Sequence, residues 1–446
     1  MKNITILLSV FAGILLSSCD DVLDVKPENY LFEEQLVTDD KSAQTSLVGV
    51  YTQLNGTYIH QFAEITTPLM DGSVIPGSTA AYYNEAASNG FEPSSGIINN
   101  IYENIYAVAN SANATIKNVS GNTLVSEAES KRILGEAYFM RAFGHFEVLR
   151  LFGQFYDVSS AYGIVLKKEL STVANSQIAR SSVQESYDFI VSDLDESIAR
   201  NVIFSQNYYA SSTTAKAYKA NVLLYMGGEA NYTEAIGLVD EVIASGEVTL
   251  EPNFEDIFSN GEANSEVIFT RVAAEGQSSK FSFYYQTAIK ASDWIKDYLL
   301  DDPRAPYSYD DSNNRVKKIY TSEIGGGPRN FMRLAEVYLI KAECQARLNQ
   351  LTEAEATLNI IRNRAYSGAA PALIYTTQQE LLDLVFDEYV KELCFETGTV
   401  LSAAIRFGKL EEIKVDVTSP DQYILPIPVS ELEANLVFGA QNPGYE

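Results

Sequence analysis

The sequence predicts a mostly α-helical protein in which stacked helix pairs support an irregular, loop-rich half. Three observations carry that expectation. Residues 131–153, KRILGEAYFMRAFGHFEVLRLFG, are apolar on nearly every side, and a helix apolar all round is buried by neighbours on several faces. Two helix–turn–helix units follow, at 213–246 and 331–365. Units of that kind bury their faces only by stacking on one another. Two stretches, 55–96 and 247–329, break the helical period with Gly, Pro, Ser, Asn and Tyr. Loops of that length in a compact domain are usually functional or disordered, and their aromatics argue for function.

Composition bounds the partners. The chain has 446 residues, 46% of them hydrophobic, which is ample for a large core. Its formal charge is −27, from 59 acids and 32 bases. An acidic surface disfavours nucleic acid and anionic lipid. His60 and His145 stand far apart, no His/Cys/Asp cluster has metal-ligand spacing, and no cofactor motif is present. Gly325-Gly326-Gly327-Pro328 lacks the Lys-Ser/Thr of a phosphate loop and reads as a turn. Among so many acids, a glycosidase-type carboxylate pair cannot be picked out.

The N-terminus has a charged Lys2, an apolar run from Ile4 to Leu16, and then Leu16-Ser17-Ser18-Cys19. Small residues running directly into a cysteine resemble the bacterial lipobox. Residues 1–18 are then a lipoprotein signal peptide and Cys19 the lipid-bearing first residue; an ordinary secretory signal or a short uncleaved anchor are the alternatives. Residues 19–38 read as an acidic tether, and 39–446 as a single domain. Its helical scaffold falls at about 39–54, 97–246 and 330–396. Its loop-rich regions are 55–96 and 247–329, and an apolar tail, 420–446, should dock on the body.

Element by element, Asp39 and Asp40 cap a helix to Leu54. Helices follow from Ile97 to Val119 and from Glu127 through the 131–153 run. Gly163-Ile164-Val165-Leu166 suggests an extended piece. Ser181 or Ser182 caps a helix to Arg200, which could pair with 131–153. Thr352 and Glu355 form a capping box for the second helix of the 331–365 unit. Further helices are expected over 379–395 and 400–407. Arg141, inside the aromatic run, needs a carboxylate if buried; Glu336, Glu388 and Glu392 are candidates. A disulfide between Cys344 and Cys394 stays open, because spacing cannot decide it.

Together, several segments resemble the SusD/RagB family of bacterial glycan-binding outer-membrane lipoproteins. These are the lipobox followed by Asp20-Asp21, the run AYFMRAFGHFEVLRLFG ending at Gly153, RLAEVYLIKAE through LNIIRNRA at 333–365, LPIP at 425–428, and QNPGY at 441–445. The chain departs from the family before the tail. Tyr389, Val400 and Ala403 stand where Arg, Arg and Asp are usual, while Arg406 is kept. The resemblance implies a SusD-like fold with about four tetratricopeptide-like helix pairs against the loop-rich half. It also implies an exterior outer-membrane location, no enzymatic activity, and a SusC-like TonB-dependent transporter as partner. A tetratricopeptide-type scaffold for a protein or peptide is the alternative.

A sugar ring needs flat aromatic platforms for its CH faces and amides or carboxylates to bridge its hydroxyls. The loop-rich regions offer Tyr82, Tyr83, Asn84 and Asp71 in the first, and Tyr284, Tyr285 and Trp294 in the second. Trp294 could equally begin a helix and pack inward.

Overall fold

A computed structural model of the chain describes residues 36–56, 64–259, 264–271, 287–318 and 329–446. Cys19, the signal segment, Tyr284, Tyr285 and the 325–328 turn lie outside the described residues. The protein is mostly helical.

The chain first forms α1 (Asp40–Gln53), then two short helices, α2 (Glu64–Met70) and α3 (Ala81–Ser88). Two long helices, α4 (Gly96–Val119) and α5 (Glu127–Phe152), are followed by α6 (Val183–Ala199), α7 (Ser212–Met226) and α8 (Glu229–Ser245). Beyond them come α9 (Asp293–Tyr298), α10 (Leu334–Arg347), α11 (Leu351–Ala365), α12 (Gln378–Leu393) and α13 (Thr399–Arg406). Four pairs, α5/α6, α7/α8, α10/α11 and α12/α13, pack side by side. Contacts of α10 with both α8 and α12 link three of the pairs, and α6 against α7 brings in the remaining one.

Helix starts follow local chemistry. Asp39 Oδ1 accepts from Ser42 N at 2.7 Å, and Ser42 Oγ accepts from Asp39 N at 3.0 Å. Ser182 with Glu185 and Thr377 with Glu380 make the same reciprocal caps. The Thr352/Glu355 box does not form. Asn349 adopts a left-handed φ of 60°, so the chain enters α11 at Leu351, before Thr352 can cap it. Glu355 instead accepts from Tyr375 Oη at 2.7 Å.

The central helix α5 is buried on most of its faces. Phe139 lies edge-on to Tyr218 and Phe269, with ring centroids 5.1 and 5.0 Å away. Phe143 meets Phe331 at 5.1 Å and Phe146 meets Tyr225 at 5.3 Å. On the opposite side α4 comes close at Gly144, where a Cβ would sit 3.2 Å from Ala109 N. These edge-to-face contacts add about 0.5–1.5 kcal/mol each beyond burial.

Arg141 is buried, but none of the three expected glutamates reaches it. Asp193 of α6 grips one guanidinium edge with a two-bond fork, Nε to Oδ2 at 2.7 Å and Nη2 to Oδ1 at 2.6 Å. Asn113 Oδ1 and Lys168 O accept from Nη1, each at 2.8 Å. The pairing of α5 with α6 decides the partner. Glu388 and Glu392 serve other arginines, and buried Glu336 accepts from Thr399 Oγ1 at 3.4 Å.

The loop-rich regions hold more structure than their composition suggests. Within 55–96, α2 buries Ile65, Leu69 and Met70, and a Cβ on Gly398 at the start of α13 would meet Thr67 at 2.9 Å. Tertiary burial thus imposes helix where propensity is weak. Among the described residues three two-stranded antiparallel ribbons are formed: β1 (Val74–Pro76) with β3 (Ile289–Ala291), β2 (Val267–Arg271) with β6 (Arg329–Arg333), and β4 (Tyr309–Asp310) with β5 (Arg315–Val316). The 163–166 piece joins no strand ladder among the described residues; Ser181 N donates to Ile164 O at 2.9 Å and holds it in place. Cys344 and Cys394 are both free and buried. Val400 and Ala403 are buried, so apolar packing stands where the family usually places a charged pair.

The tail lies against the end of α5. Leu425 N donates to Leu151 O at 2.7 Å. Asn442 Nδ2 reaches Phe152 O at 2.9 Å and Leu425 O at 2.7 Å, while Asn442 Oδ1 accepts from Arg180 at 2.6 Å.

Candidate functional site

The β1/β3 ribbon joins the two loop-rich regions. Val74 pairs with Ala291, Ile75 with Lys290 and Pro76 with Ile289. Ser292 N adds a bond to Ser73 O at 3.1 Å, and Gly77 N one to Ala288 O at 2.7 Å. Only glycine fits at position 77, because a Cβ there would lie 2.3 Å from Thr287 O. One face of the ribbon is buried through Val74, Ile289 and Ala291, and Ile75 stands out from the other.

Two helices flank this ribbon and carry four of the seven expected ligand residues. Helix α3 packs on β1 and bears Tyr82, Tyr83 and Asn84. Tyr82 is half-buried, Tyr83 is only 3% exposed, and Asn84 is exposed. The Tyr82 and Tyr83 ring centroids are 4.0 Å apart. Directly after β3, Ser292 Oγ accepts from Ile295 N at 3.2 Å and caps α9, which carries Trp294. Trp294 is half-buried, with its ring centroid 5.4 Å from that of Tyr298. Trp294 therefore does begin a helix, and it packs against the core while staying only partly buried.

Asp71 differs from the expectation. It is 1% exposed, and Oδ1 accepts from Ser73 N at 2.8 Å. With Gly72 at φ 79°, it shapes the turn from α2 into β1. Asp71 and Tyr83 thus position the ribbon and do not offer themselves to a ligand. Burial pushes the Asp71 carboxyl up to about 7, against the opposing pull of the Ser73 bonds and Lys414. Burial likewise lowers Lys414 to about 8, with Asp71 opposing.

A carboxyl raised in the folded state binds more protons there than in the unfolded chain, where its pKa is about 4. Its contribution is fully present below that value and is lost as pH rises toward about 7. An uncharged side-chain amide at this position would keep the acceptor for Ser73 N. The Tm of Asp71→Asn is therefore expected to gain on wild type as pH rises from about 4 to 7. Calorimetry over that range checks it, and a pH-independent offset would contradict it.

A second cleft, not marked by the sequence pattern, opens where the end of α1 meets the α6–α7 connection and β2. Tyr51, Thr52, Asn55, Tyr208, Tyr209 and Arg271 are among its walls. The available signal was the Tyr208-Tyr209 doublet in a Ser- and Asn-rich connection, the same composition that singled out Tyr82-Tyr83-Asn84.

A stack of helix pairs that carries a ribbon edged by half-buried aromatics has the build of a recognition protein. Comparison with known proteins agrees. Residues 307–401 match the model of the SusD family, and residues 21–224 match a model described as starch-binding associating with outer membrane. These two matches together support the SusD/RagB family for this chain. SusD-like protein P38 of Formosa agariphila is 24% identical, over 95% of each chain. SusD-like protein P25 of the same organism is 22% identical over the full length of both. Among solved structures, a SusD superfamily protein from Bacteroides fragilis superposes with a TM-score of 0.79 at 20% identity, covering 91% of this chain and all of that one. Another, from Bacteroides thetaiotaomicron, gives 0.75 at 22% identity, over 91% of this chain and all of that one. These likenesses establish the fold. The family description also supports association with the outer membrane.

Proposed function

We propose that this protein is a lipid-anchored glycan-capture subunit at the exterior of the outer membrane. It binds an oligo- or polysaccharide on its loop-built face and passes it to a SusC-like TonB-dependent transporter, without catalysing a reaction. Residues 1–18 are removed, Cys19 carries the lipid, and residues 19–38 tether a single body formed by 39–446. Two or more acyl chains hold such a protein stably at a membrane.

The observation that supports the reading is the β1/β3 ribbon, which joins the two loop-rich regions and leads from each strand into a helix with a half-buried aromatic, Tyr82 in α3 and Trp294 in α9. In this reading Tyr82 and Trp294 stack on sugar faces and Asn84 bridges hydroxyls, with Tyr284 and Tyr285 as further contacts. The description of the matched model puts starch-type α-glucans first among the glycans to test.

Isothermal titration against a polysaccharide panel tests this. Binding is expected for one glycan class, and Trp294→Ala is expected to weaken it roughly tenfold, about the worth of one good aromatic contact. Full affinity in that variant would remove Trp294 from the site. No binding of any glycan by folded protein would overturn the reading. Pull-down from solubilised outer membranes should recover a barrel transporter. Recovery of unrelated assembly proteins would favour a tetratricopeptide-type peptide scaffold.

A further inference from the structure

The cleft at the end of α1 is about 290 Å³ and stands apart from the β1/β3 edge in the residues that build it. Ligand pockets commonly run about 300–1,000 Å³, so this one suits a single ring-sized unit and not a polymer.

Its walls are held rigidly. The Tyr51 hydroxyl donates to Glu136 Oε2 at 2.6 Å and accepts from Ala210 N at 2.8 Å. Those two bonds fasten the α6–α7 connection to α1 and α5. Tyr209 packs edge-on against Tyr51 with centroids 5.3 Å apart, and Tyr208 follows at 4.7 Å from Tyr209. Tyr208 and Tyr209 are both half-buried. A preorganised aromatic wall binds at lower entropic cost than a mobile one.

The polar side of the cleft has an unused acceptor. Asn55 lines it, and its Oδ1 is buried and accepts no hydrogen bond among the described residues. A carbonyl oxygen left without a donor is destabilising, so a ligand that brings a hydroxyl to it is favoured. The Thr52 hydroxyl donates to Val48 O at 2.8 Å and keeps its lone pairs for a second donor. The cleft therefore asks for a compact ring with an apolar face and several hydroxyl donors.

We propose that this cleft is a second carbohydrate subsite, which takes one terminal sugar residue on the Tyr208/Tyr209 wall with a hydroxyl donated to Asn55 Oδ1. It goes beyond the capture site of the proposed function and shares with it only the class of ligand.

Saturation-transfer NMR with maltose, cellobiose, xylobiose and mannobiose tests it. Transfer to at least one disaccharide is expected in wild type and in Trp294→Ala. It should weaken tenfold or more in the Tyr208→Ala/Tyr209→Ala double variant. Asn55→Leu leaves the aromatic wall in place and should weaken the same disaccharide, which separates lost contacts from misfolding. Transfer that disappears in Trp294→Ala but persists in the tyrosine double variant and in Asn55→Leu overturns the second subsite and leaves glycan capture standing. A protein that binds a polysaccharide but shows no transfer to any disaccharide overturns it as well. Absence of both kinds of binding overturns both readings.

Discussion

Glu392→Ala is expected to be the most damaging single substitution in the body of this protein. Its carboxylate accepts from Arg333 Nη1 at 2.6 Å, from Arg304 Nη1 at 2.8 Å, and from Arg364. Its backbone oxygen accepts from Lys318 Nζ at 2.6 Å and Arg333 Nη2 at 2.7 Å. Glu392 is fully buried and Arg304 and Arg333 are each 1% exposed. Burial would raise its pKa, but the guanidinium groups of Arg364, Arg333 and Arg304 outweigh that and hold it well below the usual carboxylate range.

Removing Glu392 strands three buried cations that Glu266, Glu388, Glu396 and Asp302 satisfy only in part. Breaking a buried ionic cluster in this way costs about 3–5 kcal/mol, a large share of the roughly 5–15 kcal/mol that holds a domain. The damage should reach the loop-built half, because Arg304 precedes β4 and Arg333 ends β6 while Glu392 belongs to α12. Urea unfolding of Glu392→Ala and Glu392→Gln would measure it. A loss below about 1 kcal/mol in the alanine variant would show that the remaining carboxylates suffice.

Asp193→Ala is expected to cost about 3–5 kcal/mol by leaving the buried Arg141 guanidinium without its carboxylate. Asn113 and Lys168 O would still accept from Nη1, but no anion would face Nε and Nη2. The double variant Arg141→Met/Asp193→Leu should recover most of the loss, since apolar replacement of a buried pair is often neutral. A double-mutant cycle reads the coupling directly. Additive losses would mean that the pair does not act as a unit.

These two sites show what could be read without coordinates. The 131–153 run, read for its all-round apolarity, is the buried α5. The Asp39 cap, the Ser182 cap and the α7/α8 and α10/α11 pairs are as the sequence predicts, because capping and 3.6-residue periodicity are local. Even the Trp294 alternatives were legible, since Ser292 stands where a cap belongs. The same locality set the limit at Thr352, where a left-handed Asn349 started the helix early.

Pairing was beyond reach. With 59 acids in the chain, Arg141 had many conceivable partners, and only the packing of α6 on α5 selected Asp193. Asp71 looked like a polar hand in a loop, yet burial against the β1 turn made it a strut. Nothing local marks residues 74–76 and 289–291 as strands of one ribbon. The sequence by itself determined the helical scaffold and its order, because helix caps and apolar stripes are written within a few turns of chain. Tertiary structure alone decided which charges meet, which tyrosines face outward, and that Tyr51 and Tyr209 share a cleft. Those outcomes depend on contacts between segments far apart in the chain, for which a single sequence carries no local signal.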